Sequence, residues 1–149
     1  IGTAMESMGC AKWEAIEGIL PYLDHYLMDI KHMDSEKHKR FTGKGNELML
    51  ENAKKIAASG QTFLSIRVPV IPTFNDTPEE IRAIARFADA LPGVEEIYLL
   101  PYHRLGQDKY AGLGRVYELP DILPPETEHM ERLKREVENC TKLRCHIGG

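Results

Sequence analysis

Apolar residues along the chain follow two spacings, one typical of strands and the other typical of helices. Short apolar runs predict strands at residues 1–7, 25–30, 62–71, 96–100 and 142–147. Apolar residues three or four positions apart predict helices at residues 11–20, 35–40, 47–59 and 126–139, and a further helix beginning at residue 78. Because strands and helices alternate, the sequence predicts an α/β fold with parallel strands and outer helices.

Capping residues mark where two of the helices begin. Asn46 precedes the helix 47–59 and is predicted to be its N-cap, with Gly60 as the left-handed terminator. Thr77 precedes Pro78, and Glu80 completes the spacing of a capping box. The two helices are therefore predicted to begin at residues 47 and 78.

Polar residues recur where successive strands end. In parallel α/β folds the carboxyl ends of the strands carry the chemistry. A surface ion pair, a turn or a loop histidine would explain any one of these polar residues alone. Because such residues recur in four successive strand–helix units, we expect them to line one cleft that contains both signs of charge. Glu6 and Ser7 end the first strand, Asp29 and Lys31 end the second, Arg67 lies within the third, and His103 follows the fourth.

Composition narrows the class of protein. The chain has 149 residues, 42% of them hydrophobic, and a net charge of -4, which predicts one domain spanning residues 1–149. It has no basic excess for binding nucleic acid. It also lacks an apolar run of the roughly 20 residues that span a membrane. The three cysteines, Cys10, Cys140 and Cys145, predict no disulfide scaffold and no zinc site, so a reducing, cytoplasmic compartment is expected.

Longer ordered motifs are spread along most of the chain. They occupy residues 29–34, 66–72 with 75–76, 99–106 and 124–131. These motifs resemble the glycyl-radical-enzyme activating enzymes, and within them the pyruvate formate-lyase activating enzyme family. The resemblance implies the C-terminal portion of a partial (β/α)6 radical S-adenosylmethionine (SAM) barrel.

The resemblance also implies a reaction. In this family a [4Fe-4S] cluster, reduced by a protein such as flavodoxin or ferredoxin, splits SAM into methionine and a 5'-deoxyadenosyl radical. The radical takes a hydrogen atom from one glycine of a partner glycyl radical enzyme, of which pyruvate formate-lyase is an example. The motifs do not distinguish among the possible partners.

Position within the motifs assigns candidate SAM-binding residues. By resemblance, Asp29, Ile30 and Lys31 would hold the amino-acid and ribose end of SAM. His103 would contact the nucleoside.

Three further residues have candidate roles by resemblance. Arg67 would be a catalytic residue that supplies a fixed cation near the SAM carboxylate or the partner's loop. Glu6, Ser7 and Asp29 would form a monovalent cation site.

The family's CxxxCxxC motif, which supplies the cluster thiolates, does not occur in the sequence. The spacing of the three cysteines would not bring them to one cluster. The chain is therefore expected to be the C-terminal half of a barrel, to lack the cluster-binding half and to be inactive alone.

A barrel cut in this way is expected to self-associate. The first strand, residues 1–7, would present an unpaired edge. A concave apolar face would also be uncovered, formed by Leu27, Ile66, Val68, Ile97 and Leu99.

Two other functions fit parts of the sequence. Lys31 could form an imine in a lysine-dependent barrel lyase or aldolase, although the nearby carboxylate of Asp29 favours the charged amine. Alternatively, the long loop between Tyr102 and Leu123 could make the chain a non-catalytic partner-docking module.

Overall fold

A computed structural model describes residues 2–102 and 123–148, which form one five-stranded parallel sheet with strand order β1-β2-β3-β4-β5. The strands are β1 Ala4–Ser7, β2 His25–Asp29, β3 Phe63–Val70, β4 Glu96–Pro101 and β5 Arg144–Ile147. The helices are α1 Trp13–Ile19, α2 Ser35–Thr42, α3 Glu47–Ser59, α4 Pro78–Asp89 and α5 Thr127–Cys140. The predicted α/β fold with parallel strands is confirmed. No helix in the described ranges is long and apolar enough to cross a membrane.

The helices cover one face of the sheet. Parallel strands in sequential order, joined by right-handed connections, place every connecting helix on the same side. Alternate strand residues, including Met28, Ile66 and Leu99, are fully buried there in a single core with the apolar faces of the helices. Their neighbours along each strand point to the other side, called the open face below.

The prediction of an uncovered apolar face is wrong for four of its five residues. Ile66, Val68, Ile97 and Leu99 have no exposed surface because they point toward the helices. Leu27 alone of the five is half-buried, between the buried residues Tyr26 and Met28. The open face is therefore mainly polar.

The two predicted helix starts are correct, but only one cap forms as predicted. The Thr77 hydroxyl accepts the Glu80 N–H and donates to the Glu80 carboxylate, which confirms the capping box. The Asn46 side chain makes no cap bond to α3. Its amide instead donates to two carbonyls of the loop after β2. Gly60 ends α3 with φ 65°, as predicted.

Candidate functional site

Four polar residues lie in one row across the open face. The strand register places Asp29 beside Arg67, Arg67 beside Tyr98, and Tyr98 beside His146. Side chains at the same register level of neighbouring parallel strands point to the same face. The row therefore crosses four strands with four chemically different side chains.

Arg67 joins two carboxylates on this face. Its Nε donates to Asp29 Oδ1 at 2.9 Å, and its Nη1 lies 2.8 Å from Glu6 Oε1. The Arg67 and Asp29 side chains are largely buried, with 18% and 21% of their surface exposed, whereas Glu6 is open to solvent. Burial raises the pKa of Asp29, and the Arg67 guanidinium opposes that shift. The result is a fixed cation shared between carboxylates, which we call the Arg67 cluster.

A second polar cluster lies beside it, on β4 and β5. Glu96 accepts hydrogen bonds from the Tyr98 hydroxyl and from Arg144 Nη2, both at 2.8 Å. The rings of Tyr98 and His146 stack with centroids 4.9 Å apart and planes 26° apart. The bond from Tyr98 lowers the pKa of Glu96, and the same bond raises the pKa of Tyr98. Glu96 therefore fixes the tyrosine and compensates the charge of the arginine.

Lys31 and Ile30 follow β2 but have different surroundings. Lys31 is only 9% exposed, and its Nζ lies 3.8 Å from Met8 Sδ. It also lies close enough to Asp29 to lower the pKa of that carboxyl, after the larger effects of burial and Arg67. The Ile30 side chain is buried in the core, and its N–H donates to the Arg67 carbonyl at 2.9 Å. Of these two residues, only Lys31 places a polar side chain near the Arg67 cluster.

Asn75 holds the end of β3 against the loop that carries Lys31. Its amide nitrogen donates to the carbonyls of Lys31, at 2.7 Å, and Pro69, at 2.8 Å. Its amide oxygen accepts the N–H of Ile71 at 2.8 Å. Asn75 is fully buried, so these bonds are made away from water. Thr73, two residues before Asn75, has a positive φ of 69°, which is unusual for a β-branched residue.

Two more buried asparagines make the same kind of connection. Asn52 of α3 donates to two carbonyls of the loop after β1, and Asn46 donates to two in the loop after β2. The four acceptors are the carbonyls of Gly9, Ala11, His32 and Met33. The loops at the carboxyl ends of β1 and β2 are thus fixed by side chains distant in sequence.

His32 extends this framework to α4. Its Nδ1 accepts the Asp34 N–H at 2.9 Å, so its Nε2 carries the hydrogen that is donated to Glu80 Oε1 at 3.0 Å. Lys37 Nζ also lies 3.5 Å from Glu80 Oε1. Burial raises the pKa of Glu80, but the bonds from His32 and Thr77 outweigh it, and the pKa is lowered overall. His32 is therefore a buried connector in the loop that carries Lys31.

The three residues predicted to hold a monovalent cation do not share one face. Ser7 is level with Met28 in the register, which places it on the helix-covered face, and its Oγ accepts the Gly9 N–H. Glu6 and Asp29 lie together on the open face, where Arg67 already bridges them. Within the described ranges no group of three or more histidine, cysteine and acidic residues could hold a metal ion. The cation site stays a prediction.

The cysteines are separated in the structure. Cys10 is exposed, Cys140 is half-buried and Cys145 lies in the core, where burial raises its pKa to about 12. His103, predicted to contact the nucleoside, lies outside the described residues, as does most of the loop after Tyr102.

Sequence reasoning placed Glu6, Asp29 and Arg67 in one site, and the structure brings them together. It missed Glu96, Tyr98 and the role of His146. Period-two alternation along β4 and β5 was the signal that could have found them.

Comparison with known proteins gives relatives over the whole chain, although no family model matches. The chain is 41% identical over 149 residues to the 4-hydroxyphenylacetate decarboxylase activating enzyme of Clostridioides difficile strain CD196. That match covers 99% of this chain and 46% of the relative. The chain thus spans about half the length of the curated relatives it matches.

Solved structures show the same fold. A domain of pyruvate-formate lyase-activating enzyme from Bacteroides vulgatus ATCC 8482 matches with a TM-score of 0.80 and 28% identity, over 100% of this chain and 82% of that one. Streptococcus suis SuiB bound to S-adenosylmethionine matches with a TM-score of 0.73 over 100% of this chain and 33% of that one. At 14% identity, the second likeness shows the fold alone.

Proposed function

Because the homologues of this chain are glycyl-radical-enzyme activating enzymes of the radical SAM family, we propose that it is the C-terminal half of such an activase. The open face would then be one wall of the site where a partner enzyme's glycine loses a hydrogen atom. The observation that carries the proposal is the Arg67 cluster, a half-buried set of opposite charges on the open face of a radical SAM-type sheet.

The charges of this cluster fit SAM. The molecule has a carboxylate, an ammonium group, a sulfonium centre and a ribose diol, so its site needs both cations and carboxylates. Asp29 and Lys31 supply one of each at the end of β2, and the core position of Ile30 fixes the backbone between them. When bound, SAM with a reduced [4Fe-4S] cluster supplies the chemistry of hydrogen-atom abstraction.

The chain's own residues would orient the reactants and limit water. Arg67 holds the Asp29 carboxylate in place through its Nε. Asn75 and Asn46 fix the loop that carries Lys31, so the amine has a defined position before a ligand arrives. The assignment of His103 to the nucleoside rests on the sequence motif.

The three cysteines do not fit the cluster, because one is exposed, one is half-buried and one lies in the core. We propose that the cluster ligands belong to another part of a longer protein, and we derive no step through the cluster from this chain. The partner proposed is a glycyl radical enzyme, and the electron donor a flavodoxin or ferredoxin.

The proposal is tested with the longer protein that contains this chain, reconstituted with its cluster. It is mixed with SAM, a reductant and each of two partners, 4-hydroxyphenylacetate decarboxylase and pyruvate formate-lyase. Electron paramagnetic resonance of the partner should show a glycyl radical with at least one of them. A preparation with an intact cluster that neither cleaves SAM nor forms a radical on either partner would overturn the proposal.

A variant pair assigns the role of Lys31. Lys31→Met should abolish most cleavage of SAM while the far-ultraviolet circular dichroism is retained, because the methylene stem is kept and only the amine is lost. Lys54→Met, at an exposed position of α3, is the matched control and should behave like the wild type. Equal cleavage by both variants would show that Lys31 has no role in SAM binding.

A further inference from the structure

The stacked Tyr98 and His146 rings lie at the edge of the described sheet. β5 pairs only with β4 among the described strands, so the cluster that it carries opens toward solvent on one side. The His146 side chain is 45% exposed, whereas Glu96, two residues before Tyr98 on the same face, is 22% exposed and lies 3.7 Å from His146 Nε2. The stacked rings thus form a partly exposed aromatic surface that Glu96 holds from one side.

This surface continues the row that contains the Arg67 cluster. Tyr98 is one strand away from Arg67 and His146 is two strands away. With about 4.8 Å between neighbouring strands, the pair extends from roughly 5 to 10 Å from Arg67. A ligand that reaches the Arg67 cluster from the β5 side must pass over the two rings.

The chemistry of the pair suits an uncharged polypeptide better than a small anion. Arg67 is paired with Asp29 and Glu6, and Arg144 is paired with Glu96 and Glu95, so among the described open-face residues both guanidinium groups already have carboxylate partners. The Tyr98 oxygen donates to Glu96 and keeps its capacity to accept a backbone N–H. A glycine has no side chain to hold its backbone away from an aromatic face.

We infer that the stacked Tyr98–His146 pair, held by Glu96, binds the partner's glycine-bearing segment as it approaches the Arg67 cluster. This inference rests on the proposed function and identifies where the partner polypeptide lies. It makes the pair a determinant of partner affinity, separate from the residues proposed to hold SAM.

The test uses the reconstituted longer protein and whichever of the two partners acquires the radical with the wild type. His146→Ala removes one ring of the stack, and we expect the KM for the partner to rise roughly tenfold, while kcat at saturating partner is retained. His146→Phe keeps a ring at this position and should restore a KM close to that of the wild type.

His25→Ala is the matched control. His25 also contacts an aromatic ring, that of Phe63 at 5.2 Å, but at the amino ends of the strands. The KM of the His25→Ala variant for the partner should equal that of the wild type. An unchanged KM in His146→Ala, or an equal rise in His25→Ala, would overturn the inference and leave the proposed function intact. Failure of the wild type both to cleave SAM and to form a radical on either partner would overturn both.

Discussion

Replacement of Asn75 by alanine is the sharpest test of how the candidate site is held. The change removes two donated bonds and one accepted bond, all from a side chain with no exposed surface. Each buried backbone group that loses its partner costs about 1–3 kcal/mol, so the three together predict a loss of about 3 kcal/mol or more. That is a large part of the roughly 5–15 kcal/mol by which domains are stable.

Urea unfolding followed by circular dichroism measures this loss. Asn139→Ala, at an exposed position of α5, is the control and should change the free energy of unfolding by less than about 0.5 kcal/mol. Asn75→Asp keeps the acceptor for the Ile71 N–H but turns a carboxylate toward two carbonyl oxygens, so at pH 7 it should be at least as destabilising as alanine. A loss below about 1 kcal/mol in Asn75→Ala would refute the reasoning.

Three further predictions concern pH, charge and association. Burial lowers the pKa of His38, so the free energy of unfolding should fall as pH drops below the unfolded value of 6.5. His38→Gln should flatten that slope, and an unchanged slope in urea unfolding would contradict the prediction. Arg67→Met should raise the pKa of Asp29 further, because the half-buried carboxylate loses its cation. If nuclear magnetic resonance shows the same titration of the Asp29 carboxyl in the variant and the wild type, the pairing is disproved. The isolated chain should self-associate through the edge of β1, which pairs only with β2 among the described strands. Light scattering at micromolar concentration tests this, and a result that shows only monomer would contradict it.

The elements of the fold could be predicted from local sequence because their signals are local. Periodicity located each helix and strand to within a few residues, and the capping box of α4 needs only residues 77–80. The direction in which strand residues point was harder to predict. β3 is apolar almost throughout, so the pattern did not show that Ile66 and Val68 face the helices while Arg67 faces away.

The supports of the site could not be read from the sequence. Asn52 bonds a carbonyl 43 positions away, and Asn75 one 44 positions away. Asn46 has the position of a cap and could form one locally, yet its amide reaches the loop after β2. Such bonds depend on how α3 and the segment after β3 pack against the loops after β1 and β2, which only tertiary packing defines.

Substitutions on the two faces of the sheet have different consequences. Along β3, a substitution at Ile66 alters the core and threatens folding, whereas one at Arg67, the next residue, alters what the open face can recognise. The core-facing positions, which are every second residue of a strand, therefore tolerate few substitutions, while the open-face positions between them can vary. A lineage built on this sheet has room to acquire new partners by changing the open-face residues of β4 and β5, without rebuilding the scaffold that carries them.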